Sequence, residues 1–126
     1  MNTTKVGDKF ENKVFDLFSK ELREGRLLFK PENSKIFKKK RYYSRDRDKD
    51  IEFDVSIEAY LPEKSDWSIL TVIECKNYSN RVPVDDIEEF NSKLQQVAGK
   101  NVKGIVISSN AFQESALKYA KAEVSA

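Results

Sequence analysis

The chain has 126 residues, 39% of them hydrophobic and 35% charged, with a formal net charge of +2. That is the size of one domain, taken here as residues 1–126, and apolar residues arriving in periodic blocks argue against disorder. A single cysteine excludes an internal disulfide, and the lack of histidine excludes Ser-His-Asp and Cys-His catalysis, HNH-type nucleases and histidine metal centres.

Residues 5–24 read as a helix, because Val6, Phe10, Val14, Leu17, Phe18 and Leu22 recur at three- and four-residue spacing and Gly25 supplies a stop. A loop at Pro31 and Asn33 leads to "KIFKKKRYY", 35–43, a basic and aromatic strand, then to the charged turn "SRDRDK". "IEFDVSIEAY", 51–60, alternates as one strand. Ile51, Phe53, Val55, Ile57 and Ala59 share one face, and Glu52, Asp54, Ser56, Glu58 and Tyr60 the other. After a loop that brings in Trp67, expected to pack under the hairpin, residues 68–76 form an apolar strand. Pro83 and Asp85 open a second helix with the stripe Ile87, Phe90, Leu94 and Val97, ended by Gly99. "VKGIVIS", 102–108, is a buried strand. Asn110 can cap a last helix, with Gln113 at the capping-box position and Phe112, Ala116 and Tyr119 or Ala120 facing the core. The order α-β-β-β-α-β-α predicts an α/β fold: three strands in an antiparallel meander, then a right-handed parallel crossover, giving a mixed four-stranded sheet flanked by helices. No stretch is long and apolar enough for a membrane span, no signal peptide is visible, and cytoplasm is the default compartment.

"ILTVIECKNYSN", 69–80, carries the chemistry. Glu74 and Lys76 stand two apart at the end of an apolar strand, so both side chains point to one face beside a loop. A Glu-x-Lys triplet alone is weak, and Glu11-Asn12-Lys13 is a decoy: on a helix its two charges lie about 200° apart. Asp54 in the neighbouring strand adds a second carboxylate that can converge on Glu74. Two close carboxylates repel unless a cation lies between them. Mg²⁺ suits such a set, with the Cys75 backbone carbonyl as a further oxygen ligand and Mn²⁺ as a substitute. Lys76 then supplies a point charge to hold water or to steady charge growing on the phosphorus. The bland alternative for each residue is a surface salt bridge. Cys75 faces away from Glu74 and Lys76 and reads as a small core residue.

Asp54 followed after a hairpin by Glu74-Cys75-Lys76 resembles the PD-(D/E)xK nuclease signature. "GDKFENKVFDLF", "IEFDVSIEAY", "VIECKNYSNRVPVDDIEEF" and "VKGIVISSNAFQESALKYA" together resemble the Mrr-like, type IV restriction-endonuclease domain over nearly the whole chain. The resemblance implies a restriction-endonuclease-like three-layer α/β/α core and Mg²⁺-dependent cleavage of DNA. Asp54 and Glu74 take the metal-ligand positions and Lys76 that of the catalytic lysine. Related Holliday-junction resolvases use a glutamate on the first helix, which maps to Glu11 as a further catalytic and metal-site residue. Phe53 stands where the signature has proline. Relatives often continue beyond the last helix, which leaves room for fused or associated domains. Glu11 also draws notice by itself: its helical position lies among Phe10, Val14, Phe15, Phe18 and Leu22, where a carboxylate is rare unless paired. The alternative is that it snorkels or caps a neighbouring element.

From Lys30 to Lys49 the chain carries nine Lys or Arg against Glu32, Asp46 and Asp48. Lys38, Lys39, Lys40, Arg41, Tyr43, Arg45 and Arg47 are therefore candidates for contacting nucleic acid, through phosphate neutralisation and ring stacking. The competing reading is a solvated edge strand guarded by lysines. Ser108, Ser109 and Asn110 at a strand-to-helix junction serve as caps. The sequence favours a restriction or defence DNA endonuclease. Its alternatives are a non-catalytic nucleic-acid-binding module on the same fold, and a junction resolvase, which would need a homodimer.

Overall fold

The computed structural model describes residues 3–44, 46–77, 83–97, 101–109 and 124–125. The expected last helix from Asn110, the Gly99 stop and Arg45 lie outside them.

Helix α1 spans Thr3–Arg23. Its apolar stripe, Phe10, Val14, Phe18 and Leu22, is buried. Gly25 ends it in the left-handed conformation, φ 70°. The Gly25 N–H donates to the Leu22 carbonyl at 3.1 Å and that of Arg26 to Glu21 at 2.9 Å, the paired bonds of a Schellman stop. A 3₁₀ turn at Pro31–Asn33 leads into β1, Ser34–Lys38. Next come β2 (Arg41–Ser44), β3 (Lys49–Glu52), β4 (Val55–Ala59) and β5 (Ile69–Lys76). Helix α2, Val84–Gln96, begins after Pro83 with Asp85 and Asp86 in its first turn, and β6 spans Val102–Ser108. Val97 follows α2 in extended backbone yet stays buried.

The main sheet has the order β1-β4-β5-β6. A two-residue strand, β7 (Val124–Ser125), lies antiparallel beside β6. β1, β4 and β5 pair antiparallel, and β5 pairs parallel with β6 across the α2 connection. α1 covers one face: its stripe packs on Val55, Ile57, Ile73, Ile105 and Ile107. α2 covers the other, where Phe90 meets Leu70, Val72, Val106 and Phe53, with Trp67 at the margin. This is the expected mixed α/β sheet between helices. Gly104 in β6 sets the contact with α2: a β-carbon there would lie 2.5 Å from Leu94 Cδ1 and 2.7 Å from Phe90 Cε2.

The hairpin departs from the expected pair of unbroken strands. Residues 34–44 and 49–59 form one bent hairpin. Lys38 faces Val55 and Arg41 faces Glu52, and between them the Lys39 N–H donates to the Asp54 carbonyl (3.0 Å) and the Phe53 N–H to the Lys40 carbonyl (3.2 Å). The register runs through without an inserted residue, so the bend is a kink rather than a bulge. Its cause is Lys39, which sits at φ 60°. The kink reverses the alternation. Val55 and Ile57 face α1, whereas Ile51 and Phe53 join the α2-side cluster. The outer half, β2–β3, becomes a two-stranded ribbon that leaves the sheet. Its base is held by Phe53, edge-on to Phe90 at 6.3 Å, and by Tyr42.

Candidate active site

The site forms where the kink opens the sheet. Continuing the β4–β5 register one step past Val55–Ile73 sets Asp54 opposite Glu74. Here the ladder stops. The Cys75 N–H donates to Asp54 Oδ2 at 2.8 Å instead of to a strand carbonyl. Asp54 is thus fixed by its neighbour's backbone. It does not share the surroundings of Ser56 and Glu58, as an unbroken strand would require. It turns instead towards α1, where Lys39 Nζ lies 3.8 Å from its Oδ1 and 2.9 Å from Glu11 Oε2.

Glu74 follows the phase of Leu70 and Val72 on the α2 side of β5 and is 6% exposed. Its Oε1 is buried with no hydrogen-bond partner. Burial first, then the charge of Asp54, pushes its carboxyl up to about 7; Lys93, Lys76 and the Asp54 backbone N–H pull the other way. Lys76 comes next but one, on the same side of the strand. Cys75 points oppositely, against the α1 core, and burial drives its thiol far up, which makes it a poor nucleophile. Glu11, partly buried in the α1 stripe, is raised by burial and by Asp54, against the lowering effect of Lys39.

The structure sets Glu11 on one side of Asp54, and Glu74 and Lys76 on the other. Two members were not anticipated in these positions. Lys39 belongs to the basic run but lies in the site. Lys93, from α2, acts on Glu74 across the gap. Among the described residues no three Asp, Glu, Cys or His side chains converge on one point. The pair Asp54 and Glu74 with the Cys75 carbonyl nevertheless suits a hard divalent ion, which needs only one or two carboxylates and keeps its other positions for water and phosphate. The orphaned Glu74 oxygen and the carboxyl held near neutrality are what such an ion would relieve.

Part of the rest of the basic run is held by partners within the chain. Lys38 donates to Asn12 and lies over the Phe15 ring. Lys40 pairs at 2.6 Å with Glu58, 2% exposed, which also accepts from Tyr42 (2.5 Å) and from Tyr60. Burial alone would raise Glu58; the three donors outweigh it and hold the carboxyl below its ordinary value. Arg41 stands 3.4 Å from Glu52. Tyr43, half exposed, donates to Asp48. Arg47 and Lys49 are exposed on the ribbon. Among the described residues no helix is long and apolar enough to cross a membrane.

None of the curated proteins matches the chain significantly. A family model described as restriction endonuclease, the Mrr catalytic domain, matches residues 7–125, a span that holds most of α1, the kinked hairpin, the Glu74–Lys76 strand and α2. An acid-acid-lysine set at a sheet opening, on this topology and within this match, places the chain in the PD-(D/E)xK-like restriction-endonuclease family.

Proposed function

We propose that the protein is a Mg²⁺-dependent endonuclease that hydrolyses phosphodiester bonds in DNA, of the restriction or defence type, with Mn²⁺ able to substitute. The observation that carries this reading is Glu74: a buried carboxylate with an orphaned oxygen, facing the charge of Asp54, is a poor structural element and a good metal ligand. Asp54, Glu74 and the Cys75 carbonyl would hold the ion. When bound, the ion supplies Lewis-acid charge at the scissile phosphate.

The protein's own residues do the remainder. The Cys75 N–H keeps the Asp54 carboxylate oriented. Lys76 brings an ammonium to the Glu74 side, where it orients the attacking water and opposes negative charge growing on the phosphoryl oxygens. Lys93 adds positive potential from α2. The ribbon presents Arg41, Tyr43, Arg47 and Lys49 as exposed groups for the backbone of the substrate. Lys40 is assigned to Glu58 rather than to DNA.

The test is nicking of supercoiled plasmid with Mg²⁺, Mn²⁺, Ca²⁺ or EDTA, using Asp54→Ala and Glu74→Ala as controls. Cleavage with Mg²⁺ or Mn²⁺, binding without cutting in Ca²⁺, and loss in both variants are expected. Full activity in EDTA would sink the mechanism. Glu11 beside Asp54 favours a second reading, junction resolution, so a four-way junction belongs in the same assay. Preference for it over plasmid, from a dimer, would move the assignment there.

A further inference from the structure

Three carboxylates approach this site, but they do not all meet. Glu11 and Asp54 meet on the α1 side, where they share Lys39, while Glu74 follows Leu70 and Val72 to the α2 side, and no three acids converge on one point among the described residues. The Lys39 ammonium lies against this pair, 2.9 Å from Glu11 Oε2, 3.0 Å from Oε1 and 3.8 Å from Asp54 Oδ1. We propose that Lys39 is a resident counter-ion that fills the helix side of the site and limits the protein to one divalent ion, held at Asp54 and Glu74.

The backbone is arranged to keep the ammonium there. Lys39 occupies the left-handed region at φ 60°, which glycine would adopt without penalty. Its N–H is tied to the Asp54 carbonyl at 3.0 Å, so the charge is tethered to the carboxylate it neutralises. The adjacent lysines have other partners: Lys38 turns to Asn12, and Lys40 crosses to Glu58 on the opposite face. The left-handed residue is what separates these directions and points one lysine of three at the acids. With the Lys39 ammonium and one divalent ion in place, the charges of Glu11, Asp54 and Glu74 are already balanced, so a second divalent ion would find no uncompensated carboxylate. Without the ammonium, Glu11 and Asp54 form an open pair of hard oxygen ligands.

This inference rests on the metal-dependent reading above, and the experiment separates the two. Mn²⁺ is titrated into the full chain, and bound ions are counted by isothermal calorimetry and by the loss of free-Mn²⁺ EPR signal. Lys39→Gly removes the ammonium and suits the left-handed backbone, so the fold stands. Lys39→Met removes the charge but keeps the length of the side chain. The expected counts are one ion for the wild type, two for each variant, and one again for the double variant Lys39→Gly/Glu11→Gln. Two ions in the wild type, or one in both single variants, would overturn the role of Lys39 while leaving the metal reading intact. No ion in the wild type would overturn both.

Discussion

Replacing Glu74 by glutamine tests the site through stability alone, without substrate. The carboxyl moves from an ordinary 4.5 to about 7 in the folded chain, chiefly through burial and then through Asp54. At about 1.4 kcal/mol per pKa unit, holding Glu74 ionised costs the metal-free fold about 3 kcal/mol. The sign follows from proton binding. The folded state keeps a proton that the unfolded chain releases, so the contribution is complete below pH 4.5 and is lost as pH rises through about 7. Glutamine preserves the shape and stays neutral throughout. Urea unfolding in EDTA, from pH 4.5 to 8.5, should therefore show the wild type losing about 3 kcal/mol relative to Glu74→Gln across that window. Mg²⁺ at pH 8 should restore the wild type and have less effect on the variant. A constant difference between the proteins, or a wild type that gains stability with pH, would refute the reasoning.

Lys76→Ala should lower turnover by about 10²–10³-fold with DNA affinity nearly unchanged, read from single-turnover rates beside binding in Ca²⁺; equal losses in both would make Lys76 a phosphate clamp. Reversing Arg47 and Lys49 together should weaken binding to all sequences alike, with the log-log salt slope falling by roughly 0.9 per lost phosphate contact. An unchanged slope would remove the ribbon from the DNA surface. Gly104→Ala would place a methyl group 2.5 Å from Leu94 Cδ1, so urea unfolding should show a loss of about 1–3 kcal/mol without a change of slope.

The helices and the strand ending in Glu74 and Lys76 are legible because each carries a clear pattern: three-to-four spacing in Phe10, Val14, Phe18 and Leu22, and a run of apolar and β-branched residues in Leu70–Ile73. Lys76 and Glu74 could be paired because two residues apart on a strand is a fixed geometry. The kink was not legible. Ile51 to Ala59 alternates without interruption, and alternation gives the phase of a strand, not a reversal of phase between its halves. The responsible residue is a lysine, whereas the usual sign of a left-handed position is glycine or asparagine. For the same reason the sequence groups Lys39 with its neighbours as a DNA contact and sets Asp54 beside Ser56 and Glu58. Glu58 gives no clue either, because the sequence sets it on the polar face; only in the structure is its strand buried on both faces, and the bend of the hairpin brings Lys40 to it. Lys93 had no signal, since its approach to Glu74 depends on how closely α2 lies on Gly104.

The unbroken register of the hairpin has a consequence for how such a domain can change over time. Because no residue is inserted at the bend, the pairing of Lys39 with Asp54 is fixed by counting inward from the sheet, not outward from the tip. Matched pairs added or removed at the far end of the ribbon leave that count, and so the position of Asp54, untouched. A single unmatched residue between the bend and the sheet would shift the phase and turn the acid away. The exposed distal end of the ribbon can thus vary in length by matched pairs without moving the acid, while Tyr42, Ser44 and Ile51 stay tied to the core and the few residues at the bend tolerate no change of length at all.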